Sequence, residues 1–359
     1  MEGRGRYETV PTGMIALSEL RRICGSWLKS PIRLLRRTLP VKGVPTGISF
    51  ETLDVLCRRH LGESLGRVSY VTFLTIRPVP REYRLFLQTQ TGRRWSLFYK
   101  DDFSPDGMPA STECLVYSTI QGALAEYLPD VHLCLENIPG RHYQFLLEDL
   151  HEYREASTGE DILRVAAHLP AIHDAISEWS LIVGQDRLSQ IDTVRDVLRK
   201  SLESYAQRTS DKDVSQLCGL WPRIYEQVLE FHELYRPIHW DFSSTNTLIH
   251  KKHPDRVKIV DWETVGLGLP HEDLVALLSE VKPAIEDQVL TAYAEQDGRL
   301  TLAEHRRLCR WCHQELGLRY IAWMAMLHMQ SSPTTGLRVP GYIKRSMRQI
   351  LDSRQRRFA

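Results

Sequence analysis

The sequence predicts an α+β protein in which an antiparallel sheet comes first and a mainly helical half follows, with one β-hairpin set among the helices. Three observations carry this. Short strand-like runs cluster between about residues 68 and 100, helical periodicity dominates after about His151, and two apolar runs at 247–250 and 257–260 flank a polar turn.

The first half contains Val68–Ile76, Tyr83–Thr91 and Trp95–Lys100, each rich in β-branched or aromatic residues, with Gly92 turning the second run into the third. The region is expected to be strand-rich from about Ile48. A helix is expected to open at Pro109, followed by an apolar strand, Tyr143–Leu150. In the second half, Thr158 and Asp161 offer a cap for a helix through Ile176. Amphipathic segments follow at 191–205 and 214–231. Asp273 reads as an N-cap, and Thr301 with Glu304 reads as a capping box for a long last helix.

The hairpin is the chemically informative stretch. Its first strand, Thr247–His250, is preceded by His239-Trp240-Asp241 and Asn246; its second, Val257–Val260, ends in Asp261-Trp262-Glu263. Folding it brings Asp241, Asn246 and Asp261 to one edge. Phosphoryl transfer needs a carboxylate beside the incoming hydroxyl and hard oxygen ligands holding Mg²⁺ against a triphosphate. Asp241 suits the first role, Asn246 and Asp261 the second. Any one of the three alone would more often cap a turn or end a strand; the ordered set is what points to the chemistry.

His-x-Asp-x-x-x-x-Asn, an apolar strand and Asp-Trp-Glu together resemble the aminoglycoside phosphotransferase and choline kinase superfamily, the small-molecule branch of the protein kinase-like fold. Trp240 stands where protein kinases keep an arginine, and no Ala-Pro-Glu follows. The resemblance covers roughly residues 50–330. It implies a bilobal architecture, with a small antiparallel N-lobe sheet, a mainly helical C-lobe and the catalytic hairpin. The divisions expected are a basic extension at 1–47, the N-lobe at 48–150 and the C-lobe at 151–359.

The resemblance also implies ATP and Mg²⁺ as cofactors and a small molecule bearing a hydroxyl as acceptor, with Asp241 as base. Lys100, at the end of the third strand, would reach the nucleotide α/β-phosphates with Glu113 as its ion-pair partner. Glu148 to Leu150 would hold the purine. His239 and His173 read as hydrogen-bonded supports. One departure is the turn Arg77-Pro78-Val79-Pro80-Arg81-Glu82, where the fold usually has a glycine-rich turn. Prolines lack the N–H donors of a phosphate cradle, so Arg77 or Arg81 would contact phosphate by side chain, or the turn stands back. This motivates the competing readings of a nucleotide-binding scaffold without turnover, and of a protein kinase. Acceptors still open are an aminoglycoside, a sugar, a nucleoside and an amino alcohol.

Composition narrows the rest. The 359 residues carry a net charge of +1, which favours no nucleic-acid partner. No apolar run approaches the roughly 20 residues of a membrane span. Seven scattered cysteines suit a reducing compartment, and a cytoplasmic location is expected. Residues 1–47 set nine basic against three acidic side chains around Leu28, Ile32, Leu35 and Leu39. That stretch reads either as an interfacial helix on anionic lipid or as a helix packed on the body with its arginines in water. His305, Cys309, Cys312 and His313 share one helical stripe, which reads as core rather than metal site.

Overall fold

The computed structural model describes residues 41–45, 47–72, 82–103, 112–119, 122–138, 142–188, 191–279, 283–331 and 339. The basic N-terminal stretch up to residue 40, the turn with Arg77 and Arg81, the helix start at 109–111 and the basic stretch at 344–357 lie outside them.

The first part is a six-stranded antiparallel sheet. Strand β1 (Val41–Lys42) pairs with β2 (Leu65–Thr72), and between them runs helix α1 (Phe50–Leu61). β3 (Glu82–Thr89) and β4 (Arg94–Phe103) follow, then α2 (Glu113–Thr119), β5 (Val131–Ile138) and β6 (His142–Glu148). The strand order is β1-β2-β3-β4-β6-β5. Residues 50–61 are therefore helical, where a strand-rich region was expected. Ser49 caps the helix by accepting from Thr52 N at 3.1 Å. Leu53, Leu56 and Cys57, at helical spacing, bury against Leu85, Leu97 and Tyr99. Gly62, at φ 71°, ends it in the left-handed region that a glycine enters without a Cβ clash.

The helical part begins after β7 (Tyr153–Glu155). Helix α3 (Gly159–Val183) opens on the expected box, with Thr158 Oγ1 accepting from Asp161 N and Asp161 Oδ2 from Thr158 N, both at 3.1 Å. Then come α4 (Ile191–Thr209), α5 (Lys212–Leu229), β8 (Arg236–Ile238), the hairpin β9 (Thr247–His250) and β10 (Val257–Ile259), and β11 (Gly266–Gly268). Helices α6 (Pro270–Leu278), α7 (Pro283–Asp297) and α8 (Leu302–Ser331) complete the described chain. The expected hairpin forms, with Ile259 opposite Thr247, and β7 pairs with β9 on its other side. β8 pairs with β11.

Two cores anchor the hairpin and the segment that leads into it. Phe242, Ile249, Ile259 and Trp262 enter the larger one with α2, α3 and α6, while Ile238 and Trp240 enter a second one with α4, α5 and α8. The Thr301–Glu304 box caps α8 as expected. Cys309 and Cys312 are core residues, and among the described residues no group of three His, Cys, Asp or Glu side chains is disposed to hold a metal.

Candidate active site

The loop between β8 and β9 carries Asp241 and Asn246, and it holds a backbone shape that most side chains resist. Trp240 lies at φ 67°, and Asp261, just past β10, at φ 68°. A non-glycine residue in that region costs on the order of 1–3 kcal/mol and persists only where its surroundings over-determine it.

At Trp240 the surroundings are visible. The buried Asp273 carboxylate on α6 accepts from His239 N at 2.9 Å and from Trp240 N at 2.7 Å. Glu272 accepts the Trp240 indole N–H at 2.7 Å, and the Arg319 guanidinium lies 4.3 Å over the indole ring. Asp273 is thus a clamp on another segment, not the cap of its own helix. Glu272 serves the helix start instead, accepting from Leu269 N at 3.0 Å. Burial pushes the Asp273 carboxyl up to about 6, against the pull of His239 and the two amide donors.

Both expected supporting histidines are buried and hydrogen-bonded. His239 Nδ1 accepts from Asp241 N at 3.3 Å, so Nε2 carries the proton and donates to Val260 O at 3.2 Å. The ring ties the Asp241 loop to the end of β10. His173 Nδ1 accepts from Arg236 Nη2 at 3.3 Å, leaving Nε2–H to donate to Asp273 at 3.1 Å. Burial holds both rings below the usual imidazole range, which keeps them neutral.

Asn246 Nδ2 donates to Asp241 O at 2.9 Å and to Asp241 Oδ2 at 3.0 Å, so its amide oxygen takes no part in those bonds. The Asp241 side chain is half-buried. Burial first, and the Asp261 charge second, push its carboxyl up to about 7, while the Arg319 charge and the Asn246 donor pull it back.

Asp261 meets the sheet. Lys100 Nζ, near the end of β4, lies 3.1 Å from Asp261 Oδ1 and 2.5 Å from Glu113 Oε2. Lys100 and Glu113 are buried; the Asp261 side chain is 36% exposed. Thr112 Oγ1 donates to Trp262 O at 2.8 Å and Thr112 N to Glu263 O at 3.2 Å, so the start of α2 is stitched to the segment after Asp261. Glu148 ends β6 with its carboxylate on Asp130 N at 3.2 Å, and Leu150 packs with Tyr153, Leu248 and Val260. Five of the expected residues, Lys100, Glu113, Asp241, Asn246 and Asp261, are therefore linked through direct contacts or mutual charge. Leu150 adjoins them through Val260. Glu272 and Arg319 had no signal of their own in the sequence, since they meet Trp240 across 32 and 79 positions.

Residues 121–311 match the phosphotransferase enzyme family. The chain belongs to it. As a family member it is a phosphotransferase acting on hydroxyl groups, of the small-molecule kinase kind. No curated protein matches the chain in sequence. Among solved structures, the choline kinase LicA from Streptococcus pneumoniae is similar over 84% of this chain and 97% of its own, at 13% identity and a TM-score of 0.53. The amicoumacin kinase hAmiN, in complex with AMP-PNP, Ca²⁺ and Ami, matches 79% of this chain and 88% of its own, at 12% identity and 0.54. The GDP and kanamycin complex of APH(2")-IIia covers 86% and 99%, at 13% and 0.53. At these identities the likeness is one of fold, and it places the phosphotransferase within the kinase-like architecture.

Proposed function

We propose that this phosphotransferase moves the γ-phosphoryl group of ATP, with Mg²⁺, to a hydroxyl of an aminoglycoside, sugar or amino-alcohol acceptor. The observation that carries the reading is the Lys100 ammonium bridging Glu113 and Asp261 beside the hydrogen-bonded pair of Asp241 and Asn246.

Roles follow from position. Asp241, half-buried and aimed by Asn246, orients the acceptor hydroxyl and takes its proton. Lys100, fixed by Glu113, meets the α/β-phosphates. The adenine lies against Glu148–Leu150, where Leu150 N–H has no acceptor among the described residues. Asn246 Oδ1 and the Asp261 carboxylate would hold the metal, which would supply positive charge against the triphosphate. The donor set fits Mg²⁺. It is all oxygen, it is too sparse to cage an ion alone, and the site sets one ammonium against the three carboxylates of Glu113, Asp241 and Asp261. That leaves room for phosphate and water ligands, and charge for a cation to balance.

Neighbours of this fold bind either an adenine or a guanine nucleotide, AMP-PNP in hAmiN and GDP in APH(2")-IIia. Both donors therefore belong in the test. The protein is incubated with ATP or GTP, Mg²⁺ and a panel of hydroxyl compounds, and products are screened by mass for one added phosphoryl group. Turnover is expected with ATP and Mg²⁺, falling about 10²–10⁴-fold in Asp241→Asn. Nucleotide binding without phosphorylation of any acceptor would overturn the reading.

A further inference from the structure

Helix α2 supplies Glu113 to the site, and the next residue, Cys114, touches a second cysteine. Cys134, on β5, lies with its Sγ 2.9 Å from Cys114 Sγ and 3.6 Å from Cys114 O. That is closer than ordinary non-bonded sulfur atoms and less than 1 Å beyond the roughly 2.05 Å of a disulfide bond. Both cysteines are free thiols, Cys114 buried and Cys134 half-buried, so the pair has a face toward solvent.

We propose that Cys114 and Cys134 are a redox modification site, forming a reversible disulfide that latches α2 to β5 in the arrangement pairing Glu113 with Lys100. The juxtaposition exists while Lys100 Nζ is 2.5 Å from Glu113, so closing the bond requires no departure of Glu113 from the lysine. The oxidant is a peroxide. The Cys114 thiolate attacks hydrogen peroxide, giving a sulfenic acid and hydroxide. The Cys134 thiol then displaces water from that sulfenic acid, and the sulfur–sulfur bond forms. Two electrons pass from the two sulfur atoms to the peroxide. The Cys134 S–H hydrogen bond favours thiolate at Cys114 and holds its thiol below the usual range, against burial and the charges of Glu136 and Glu113. By contrast, Cys309 and Cys312 are buried in the core with their thiols pushed up, which disfavours the reactive form.

The test uses the full chain, reduced and then freed of reductant. It is treated with a small molar excess of hydrogen peroxide, blocked with N-ethylmaleimide, and mapped by peptide mass spectrometry without reduction. A Cys114–Cys134 cross-linked peptide is expected, removed by dithiothreitol and absent in Cys134→Ser. The thermal midpoint should rise on oxidation of the wild type and stay unchanged in Cys134→Ser. ATP affinity of the oxidised protein should remain within about twofold of the reduced protein, since Glu113 stays on Lys100. Only this last readout rests on the proposed nucleotide chemistry. Failure of both forms to bind ATP would count against that chemistry, and the cross-link and thermal midpoint would still decide the latch. Two cysteines that both remain alkylatable after oxidation, or a cross-linked protein whose ATP binding is more than tenfold weaker than the reduced form, would overturn it.

Discussion

Two clusters of charge bear on the Asp241 loop, and they are built on opposite principles. The cluster of Arg195, Glu272, Glu315 and Arg319 is closed. Arg195 reaches Glu272 at 2.5 Å and Glu315 at 3.1 Å, Arg319 lies 3.5 Å from Glu272 and 4.0 Å from Glu315, and all four are buried. Two guanidinium groups face two buried carboxylates, and Arg195 also meets the exposed Asp192 at 2.9 Å. Lys100, Glu113 and Asp261 form an open cluster, with Asp241 close enough for the Asp261 charge to act on it. One ammonium faces an excess of carboxylate, and one of those carboxylates meets solvent. The closed cluster shapes the loop by taking the Trp240 indole N–H on Glu272. The open one leaves charge for a ligand to answer. Desolvated ions are tolerable when opposite charges face them; an imbalance of charge open to solvent is a signature of binding and catalysis.

The largest test of that contrast is Asp261→Asn. Asparagine tolerates the left-handed φ of 68° at this position about as well as aspartate, so the substitution removes charge and adds no backbone strain. We expect kcat to fall by about 10²–10³-fold while stability changes by less than about 0.5 kcal/mol, because the side chain is partly exposed and unfolds no network. Steady-state kinetics and thermal melts on one preparation check both. A large drop in the melting midpoint would show that Asp261 belongs to the structural class after all.

The two clusters also differ in how far they could be read from the sequence. The gathering of Asp241, Asn246 and Asp261 was legible because the chemistry expected of them asks for fixed residue types at short spacing around one hairpin, and that hairpin formed. Lys100 with Glu113 was legible through order along the chain and the family likeness. The closed cluster was not. Its members sit on α4, α6 and α8, and as sequence they are ordinary charges on amphipathic helices. Asp273 was misread for the same reason: an acid at a helix start suggests a cap, whereas its real donors lie 33 and 34 positions away. Helix α1 was hidden differently. Only Leu53, Leu56 and Cys57 of its apolar residues are buried, and the strand pattern that follows set the expectation for the whole region.

Breaking the closed cluster should give the complementary result. Arg195→Met removes the partner that both acids share and leaves Glu272 and Glu315 to the more distant Arg319. Loss of one partner from a buried pair costs about 3–5 kcal/mol, so the thermal midpoint should fall by several degrees or more. Residual folded enzyme should keep its KM for nucleotide, since Lys100 and Asp261 are untouched. A variant with unchanged stability and altered nucleotide KM would reverse the assignment of the two clusters.

The smallest and sharpest expectation concerns pH. The Asp241 carboxyl is pushed up to about 7, by burial first and the Asp261 charge second, and a base must be ionised to accept a proton. The free-enzyme profile, kcat/KM, should therefore be flat above about pH 7 and fall about tenfold per unit below it. Stability runs the other way. A carboxyl whose folded value is raised binds its proton more tightly in the native state. Its contribution is therefore lost as pH rises from the ordinary carboxylate value of 3.8 through about 7. The window in which Asp241 would ionise to serve as the proposed base is the one in which it destabilises the fold. Asp241→Asn should consequently raise the thermal midpoint more at pH 8 than at pH 5 while removing turnover at both. An equal shift at the two pH values would mean that Asp241 ionises as an ordinary surface acid, and the electrostatic origin of its reactivity would fall with that result.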